Sequence, residues 1–246
     1  MSPKAQPIFR IDSTTIHGSF VRLDAHETHH LHHVLRLRPG DSAGLIDEQG
    51  RNHNATVVLI DRVGALMRIF GVAAPRAMAP LILAIAIIKG PRMDFAIEKA
   101  VELGASEIWP VLCARCVVRD PGRERLLRWR RLAVAASKQS LRARAVELGA
   151  PLAFAEMLTR LPGGMLPLFC QAQAPPLASI ARRATRGGIL IACGPEGDFD
   201  AEELAAAERA GFVRASLGPN RLRTETAALA ALAIAGTILD EVAQGD

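Results

Sequence analysis

In the last quarter of the chain, two short apolar runs each end in a glycine-proline loop that leads into a helical segment. The first run, Ile189-Leu190-Ile191-Ala192-Cys193, is followed by Gly194-Pro195-Glu196-Gly197-Asp198-Phe199. The second, Phe212 to Leu217, is followed by Gly218-Pro219-Asn220-Arg221-Leu222-Arg223-Thr224-Glu225-Thr226. Runs this short and this apolar read as strands covered on both faces, which is the situation in a parallel sheet. Parallel neighbours need a crossover, usually a helix, between them. Ligand sites of such sheets form where loops leave the carboxyl ends of strands. Two loops of this kind, one helix apart, predict one composite pocket.

The upstream sequence extends the pattern. Leu81 to Ile88 is a continuous apolar run, Met93 to Gly104 has helical spacing, and Glu107 to Leu112 is a further strand. Asp120-Pro121 opens a long helix to about Ser140, with Asp as cap and Pro at the first position. Met165 to Cys170 is another strand, and Asp200 to Ala210 a helix in which Asp200 and Glu203 form a box-like cap. Thr224 to about Val242 is built from Ala, Leu and Ile around much of its circumference, so it must be buried in the core or against a second subunit. Before Ala74 the pattern differs. Ser42 to Ile46, Ala55 to Ile60 and Ala65 to Phe70 alternate like strands of a small β-barrel or sandwich, with a hairpin turn at Asp47 to Gly50. Pro75 to Pro80 reads as a linker. The expected organisation is a β-rich domain over 1–74 and an α/β domain over 79–246.

Several chemistries are excluded or made improbable by what is absent. All seven histidines lie between His17 and His53, and the chain has no Tyr. A Ser-His-Asp or Cys-His nucleophile system therefore cannot be assembled inside the C-terminal part. Neither a phosphate loop ending in Gly-Lys-Ser/Thr nor a glycine-x-glycine dinucleotide fingerprint is present. Cys113-Ala114-Arg115-Cys116 has zinc-like spacing, but no second Cys pair or downstream His completes a ligand set, and the crowded His26 to His33 stretch lacks defined ligand spacing. No metal is expected. Met1 to Arg10 has no apolar core, so no signal peptide is expected there; the longest uncharged stretches are short for a bilayer, and four cysteines argue against a disulfide scaffold. A reducing cytoplasm and no membrane association are expected. Net charge is +5, and Arg115 to Arg131 carries seven Arg against Asp120 and Glu124. That run is either a solvated helix face or a phosphate-binding one.

Gly194-Pro195-Glu196-Gly197 and Leu222-Arg223-x-Glu225-Thr226-Ala227 together resemble the signatures of SPOUT-class RNA methyltransferases, specifically the RsmE type. Further matching segments are His30-Leu31-x-x-Val34-Leu35-Arg36, Lys99-Ala100-x-Glu102-Leu103-Gly104, Trp129, and Gln139-Ser140-x-Arg142. The resemblance covers nearly the whole chain. It implies a PUA-like RNA-binding β-barrel followed by a SPOUT α/β domain with a C-terminal trefoil knot. It also implies S-adenosyl-L-methionine as cofactor and methylation of N3 of a specific uridine in 16S ribosomal RNA, presented as RNA or as the small ribosomal subunit. A homodimer with the active site near the subunit contact is implied as well. The alternatives are a SPOUT enzyme acting on a different base or ribose, and a non-catalytic RNA-binding protein.

Such a cofactor brings an activated methyl group, so the protein must mainly hold it in line with the acceptor. Its expected contacts are Gly194, Pro195, Glu196, Gly197, Leu217, Gly218, Leu222, Arg223, Thr224 and Thr226. With no His in the domain, Glu196 and Glu225 are the candidate bases for the N3 proton. Glu196 can equally bond loop backbone, and Glu225 can equally serve the positive end of the last helix. Arg223 is a candidate to stabilise the uracil anion. The expected RNA contacts are Arg10, His30, Arg36, Arg38, Lys89, Arg92, Lys99, Gln139, Arg142 and Arg221. Three departures from the family pattern stand out: Asp198 and Leu141 where Gly is usual, and Lys138 where an acid is usual.

Overall fold

The computed structural model describes residues 7–73, 79–140 and 146–244. They form two compact units, one built from residues before position 77 and the other from the described residues after it. Arg142, Leu141 and most of the proline-bounded linker lie outside the described residues.

The first unit contains β1 (Ile8–Arg10), β2 (Phe20–Arg22), α1 (Ala25–His29), β3 (Ser42–Ile46), β4 (Asn52–Asp61) and β5 (Gly64–Ala73). Its sheet runs in the order β1-β3-β4-β5-β2, with β1 parallel to β3 and the remaining pairs antiparallel. The three longer strands are the alternating runs of the sequence. The other two have three residues each, too few for alternation to show. Alternate side chains, among them Phe9, Val21, Leu45, Val57 and Met67, meet Leu31 in one core. The turn at Asp47 to Gly50 closes with Gly50 N–H donating to the Asp47 carbonyl at 3.0 Å. Burial would push the Asp47 carboxyl up, but it accepts from the Arg51 backbone and side chain and lies 3.0 Å from His53 Nε2. The bonds outweigh burial and hold it at about 2. α1 is capped by Asp24 and continues through a wider π turn, His30–Val34, that ends where Arg36 takes a left-handed conformation (φ 58°).

The second unit runs β6 (Leu81–Ala86), α2 (Pro91–Glu102), β7 (Glu107–Leu112), α3 (Gly122–Gln139), β8 (Glu147–Leu148), β9 (Leu152–Ala153), α4 (Phe154–Thr159), β10 (Leu166–Cys170), α5 (Leu177–Ala181), β11 (Ile189–Cys193), α6 (Ala201–Arg209), β12 (Val213–Ala215) and α7 (Thr224–Gln244). Every strand pairing in its sheet is parallel, in the order β12-β10-β11-β6-β7-β8, with β9 also on β7. Helices cover both faces. Leu81, Leu83 and Ile85 of β6 pack with α2, α3, α5 and α7, while Ile82, Ala84 and Ala86 pack with α4 and α6. This two-sided burial explains why the strand reads as an unbroken apolar run.

Several element boundaries differ from expectation: β6 ends at Ala86 rather than Ile88, α2 spans Pro91–Glu102 rather than Met93 to Gly104, and β4 and β5 extend beyond their alternating runs. Asp120 does not cap α3 directly. Gly122 has φ 73°, so the helix begins a residue later, with Pro121 in the cap position and Asp120 Oδ1 accepting from Gly122 N–H at 2.8 Å. β12 stops at Ala215 because Ser216 N–H turns away to donate to the Pro175 carbonyl. The Asp200–Glu203 capping box forms as the sequence indicates.

α7 is long and apolar enough, by length and composition alone, to cross a bilayer. Here Ala228, Ala231, Leu232, Ala235, Ile238 and Leu239 form a buried stripe over the sheet and α2. Leu229, Ala233 and Ile234 on its other side remain partly or fully exposed, so burial is less complete than the composition suggests.

Candidate active site

The carboxyl ends of β10, β11 and β12 open into one cleft of about 310 Å³. Because β10 lies between β11 and β12, the loops following these three neighbouring strands face each other. Gly194, Pro195 and Glu196 form one wall, and Leu217, Gly218, Leu222 and Thr224 another. These seven expected cofactor contacts therefore line one cleft. Three others do not. Arg223 and Thr226 are exposed outside it, and Gly197 sits behind it, its carbonyl accepting from Arg115 Nη1 at 2.7 Å.

The glycines have local reasons. A Cβ at Gly194 would lie 3.2 Å from two ring carbons of Phe199, which is buried between Phe154 and Phe169. A Cβ at Gly197 would lie 3.3 Å from the Arg115 side chain. Gly218 has φ 110° with nothing near its missing Cβ, so the second loop keeps its backbone open to the cleft. Arg221 Nη2 donates to the Glu196 carbonyl at 3.3 Å, tying the two loops together.

Asp198 resolves one departure from the family pattern. It keeps the left-handed conformation that a glycine would adopt, φ 64°, and its Oδ1 accepts from Phe199 N–H at 2.8 Å. Asp tolerates this region through such local bonding. Asp198→Ala, which loses the bond and keeps the Cβ, is expected to destabilise the fold by about 1 kcal/mol, and Asp198→Gly to leave it unchanged or slightly more stable. Urea unfolding of the two variants checks this, and equal midpoints would refute it.

The charged groups gather on one side. Arg92, in the first turn of α2, places Nη2 2.8 Å from Glu196 Oε1 and Nη1 4.0 Å from Glu225 Oε2. Glu225, in the first turn of α7, is buried, and its Oε2 has no hydrogen-bond partner among the described residues. One guanidinium thus faces both candidate bases. Among the other expected RNA contacts, Lys99 is engaged by Glu98 and Glu102 at 2.8 and 2.6 Å. Lys89, Gln139 and Arg221 are exposed on the second unit, and Arg36 and Arg38 on the first. Arg10 and His30 are half-buried there, with His30 edge-on to Phe9.

Sequence reasoning missed Cys170, Gln171 and Ala172, which form the cleft wall at the end of β10. The strand itself was readable. Its place between the two loop-bearing strands was not, because strand order is not written in a linear pattern. Gln171 Oε1 is buried without a partner among the described residues. A free acceptor, open glycine backbone and the apolar surfaces of Leu217, Leu222 and Ala227 suit a ligand with an amino group and a flat ring. The Cys113–Cys116 segment is a tight turn, with Cys113 N–H donating to Cys116 Sγ, that presents Arg115 to the first loop.

A parallel α/β unit with a backbone-lined cleft at its strand ends, preceded by a small β unit, matches a known class. Residues 75–236 match the RNA methyltransferase domain model, and residues 23–66 match the RNA methyltransferase PUA domain model. The protein is an RNA methyltransferase. It is 32% identical over 239 residues to the ribosomal RNA small subunit methyltransferase E of Mycobacterium tuberculosis, covering 94% of this chain and 91% of that one. The crystal structure of a ribosomal RNA small subunit methyltransferase E from Neisseria gonorrhoeae, bound to S-adenosyl methionine, is 33% identical. It superposes with a TM-score of 0.68, covering 95% of this chain and 98% of that one. A methyltransferase from Legionella pneumophila, also solved with this cofactor, is 25% identical with a TM-score of 0.64 over 95% and 98% of the two chains. The chain belongs to the ribosomal RNA small subunit methyltransferase E family.

Proposed function

We propose that this enzyme methylates N3 of a uridine in 16S ribosomal RNA, with S-adenosylmethionine held in the cleft between the two glycine-proline loops. The observation that carries the reading is the convergence, at one strand edge, of that cleft with an arginine facing two carboxylates. When bound, the cofactor supplies a methyl group already activated by its sulfonium charge. Pro195, Leu217, Leu222 and Ala227 give its rings an apolar seat, and Gln171 Oε1 accepts from an amino group there. Glu225 Oε2, buried and without a hydrogen-bond partner among the described residues, takes the proton that must leave N3 as the methyl arrives. Arg92 holds Glu196 and Glu225 in place and offsets their charge. Arg223, exposed on the second loop, reaches the base oxygens on which the uracil anion is delocalised. N3 lies on the Watson–Crick edge, so the base must be unpaired when it reacts.

The first unit is the PUA-like RNA-binding domain and the second the SPOUT domain, whose two loops and last helix form a trefoil knot. The small and apolar residues of α7 that stay exposed or half-buried, Ala233 and Leu229 among them, support a homodimer packed on that helix. Base-resolved mass spectrometry of small-subunit RNA, with and without the protein and cofactor, tests the reading. One new methyl on a uridine ring nitrogen is expected. Methylation of a ribose or of another base would overturn it.

A further inference from the structure

α3 carries Arg123, Arg125, Arg128, Arg130 and Arg131 within 18 residues, with Glu124 as its only acid. All five arginine side chains are exposed. The buried side of the helix is made by Trp129, Ala133, Ala136 and Ser137. Three of the arginines, at positions 125, 128 and 131, follow a spacing of three and so form one inclined row along the helix. Arg125 and Arg128 line a second cleft, of about 210 Å³, with Ile88, Gly90, Pro91, Asp94 and Trp129. Asp94 is its single acid. It is already engaged, 2.7 Å from Arg128 Nη2 and accepting from Trp129 Nε1 at 3.0 Å. The pair leaves Arg128 64% exposed and Arg125 uncompensated among the described residues. Gly90 and Pro91 in the same cleft directly precede Arg92, which faces Glu196 and Glu225. The cleft that holds the first two arginines of the row is thus lined by the residues immediately before Arg92 in the chain.

We propose that this row and its cleft form the docking surface for the RNA sugar-phosphate backbone flanking the target nucleotide. The inference rests on the RNA-methylating reading and names the face of the second unit that takes the substrate. Charge complementarity singles out this occupant. Successive arginines of the row are about 4.5 Å apart along the axis at 1.5 Å per residue, comparable to the phosphate spacing of a nucleic acid strand. Guanidinium groups grip phosphate with two bonds. Contacts of this kind position RNA without reading its sequence, which suits a chain in which aromatic residues are only 4% and offer few stacking platforms.

The test compares Arg125→Gln/Arg128→Gln/Arg131→Gln with Arg123→Gln/Arg130→Gln, which removes charge from the other flank of the same helix. Affinity for a small-subunit RNA fragment is measured from low to high salt. In the triple variant the slope of log K against log salt should flatten by about 2, since each phosphate neutralised on a single strand contributes about 0.7. KM for RNA should rise at least about tenfold with kcat at saturation kept. Thermal shift with S-adenosylmethionine should match wild type, which excludes misfolding. The double variant should keep the wild-type slope. An unchanged slope in the triple variant, or equal flattening in both, would overturn the proposal. So would loss of binding to assembled subunits with naked RNA binding intact, which would assign the row to a protein contact. If wild-type protein binds RNA through the row yet methylates nothing, the catalytic reading fails and the docking surface stands.

Discussion

Replacing Arg92 by alanine is expected to lower methyl transfer at least about 100-fold while binding of S-adenosylmethionine remains measurable, on the scale seen when one preorganised charge is removed from an active site. The reason is electrostatic and geometric at once. Among the described residues, Arg92 is the one basic group within 4.0 Å of both Glu196 and Glu225. Without it, Glu196 on the first loop and Glu225 in the first turn of α7 lose the cation they share, and Glu225, with only 10% of its side chain exposed, has no counter-charge. Like charges in a partly buried site repel and cannot both stay ionised at little cost. The loops are also held by Arg221 on the Glu196 carbonyl and by Arg115 on the Gly197 carbonyl. The cleft should therefore persist while its charged corner opens. Arg92→Lys keeps the charge but not the fork. One ammonium cannot hold both the 2.8 Å and the 4.0 Å contact, so partial recovery is expected. Single-turnover rates with saturating cofactor and RNA are the measurement. A rate in Arg92→Ala above half of wild type would remove the arginine from the mechanism.

Arg92 also marks the limit of what could be read from the sequence. As one basic residue among several it reads as an RNA contact, and nothing in its immediate neighbours says that it faces Glu196 and Glu225, far away along the chain. The strands β6, β7, β10 and β11 were legible because burial on both faces leaves an uninterrupted apolar run. The Asp200–Glu203 cap was legible because both of its halves lie within one helical turn of each other in the chain. β8 and β9, two residues each, were not, since their register depends wholly on β7. The same holds for the site. Gly194 and Gly218 announce themselves by composition. Gln171 and Cys170 enter it only because β10 is inserted between β11 and β12. Gly197 matches the family signature yet lies behind the cleft, where its lack of a side chain makes room for Arg115.

A second kind of glycine decides whether the strand edge exists at all. Gly187 and Gly188 precede β11, and neither tolerates a side chain. A Cβ on Gly187 would lie 2.0 Å from the Gly164 carbonyl oxygen, and one on Gly188 2.0 Å from the Pro80 carbonyl oxygen. Those neighbours cannot yield cheaply. Pro80 O accepts from Ile189 N–H at 2.9 Å, the first rung between β11 and β6, and Gly188 O accepts from Leu166 N–H at 3.0 Å, the first rung to β10. Relieving the overlap would separate strands at the centre of the sheet. Gly188 also has φ 91°. Gly188→Ala is thus expected to cost about 3–5 kcal/mol, combining backbone strain with broken ladder bonds. Gly211→Ala provides the comparison. Its φ is 89° but nothing lies within 4 Å of its missing Cβ, so it should cost only about 1–2 kcal/mol. Denaturant unfolding of both variants separates conformation from close approach. If Gly188→Ala proves no more costly than Gly211→Ala, then the sheet is not pinned at this seam. Cofactor binding should fall with stability in Gly188→Ala, because β11 runs from this seam to Gly194 and delivers the first loop to the cleft.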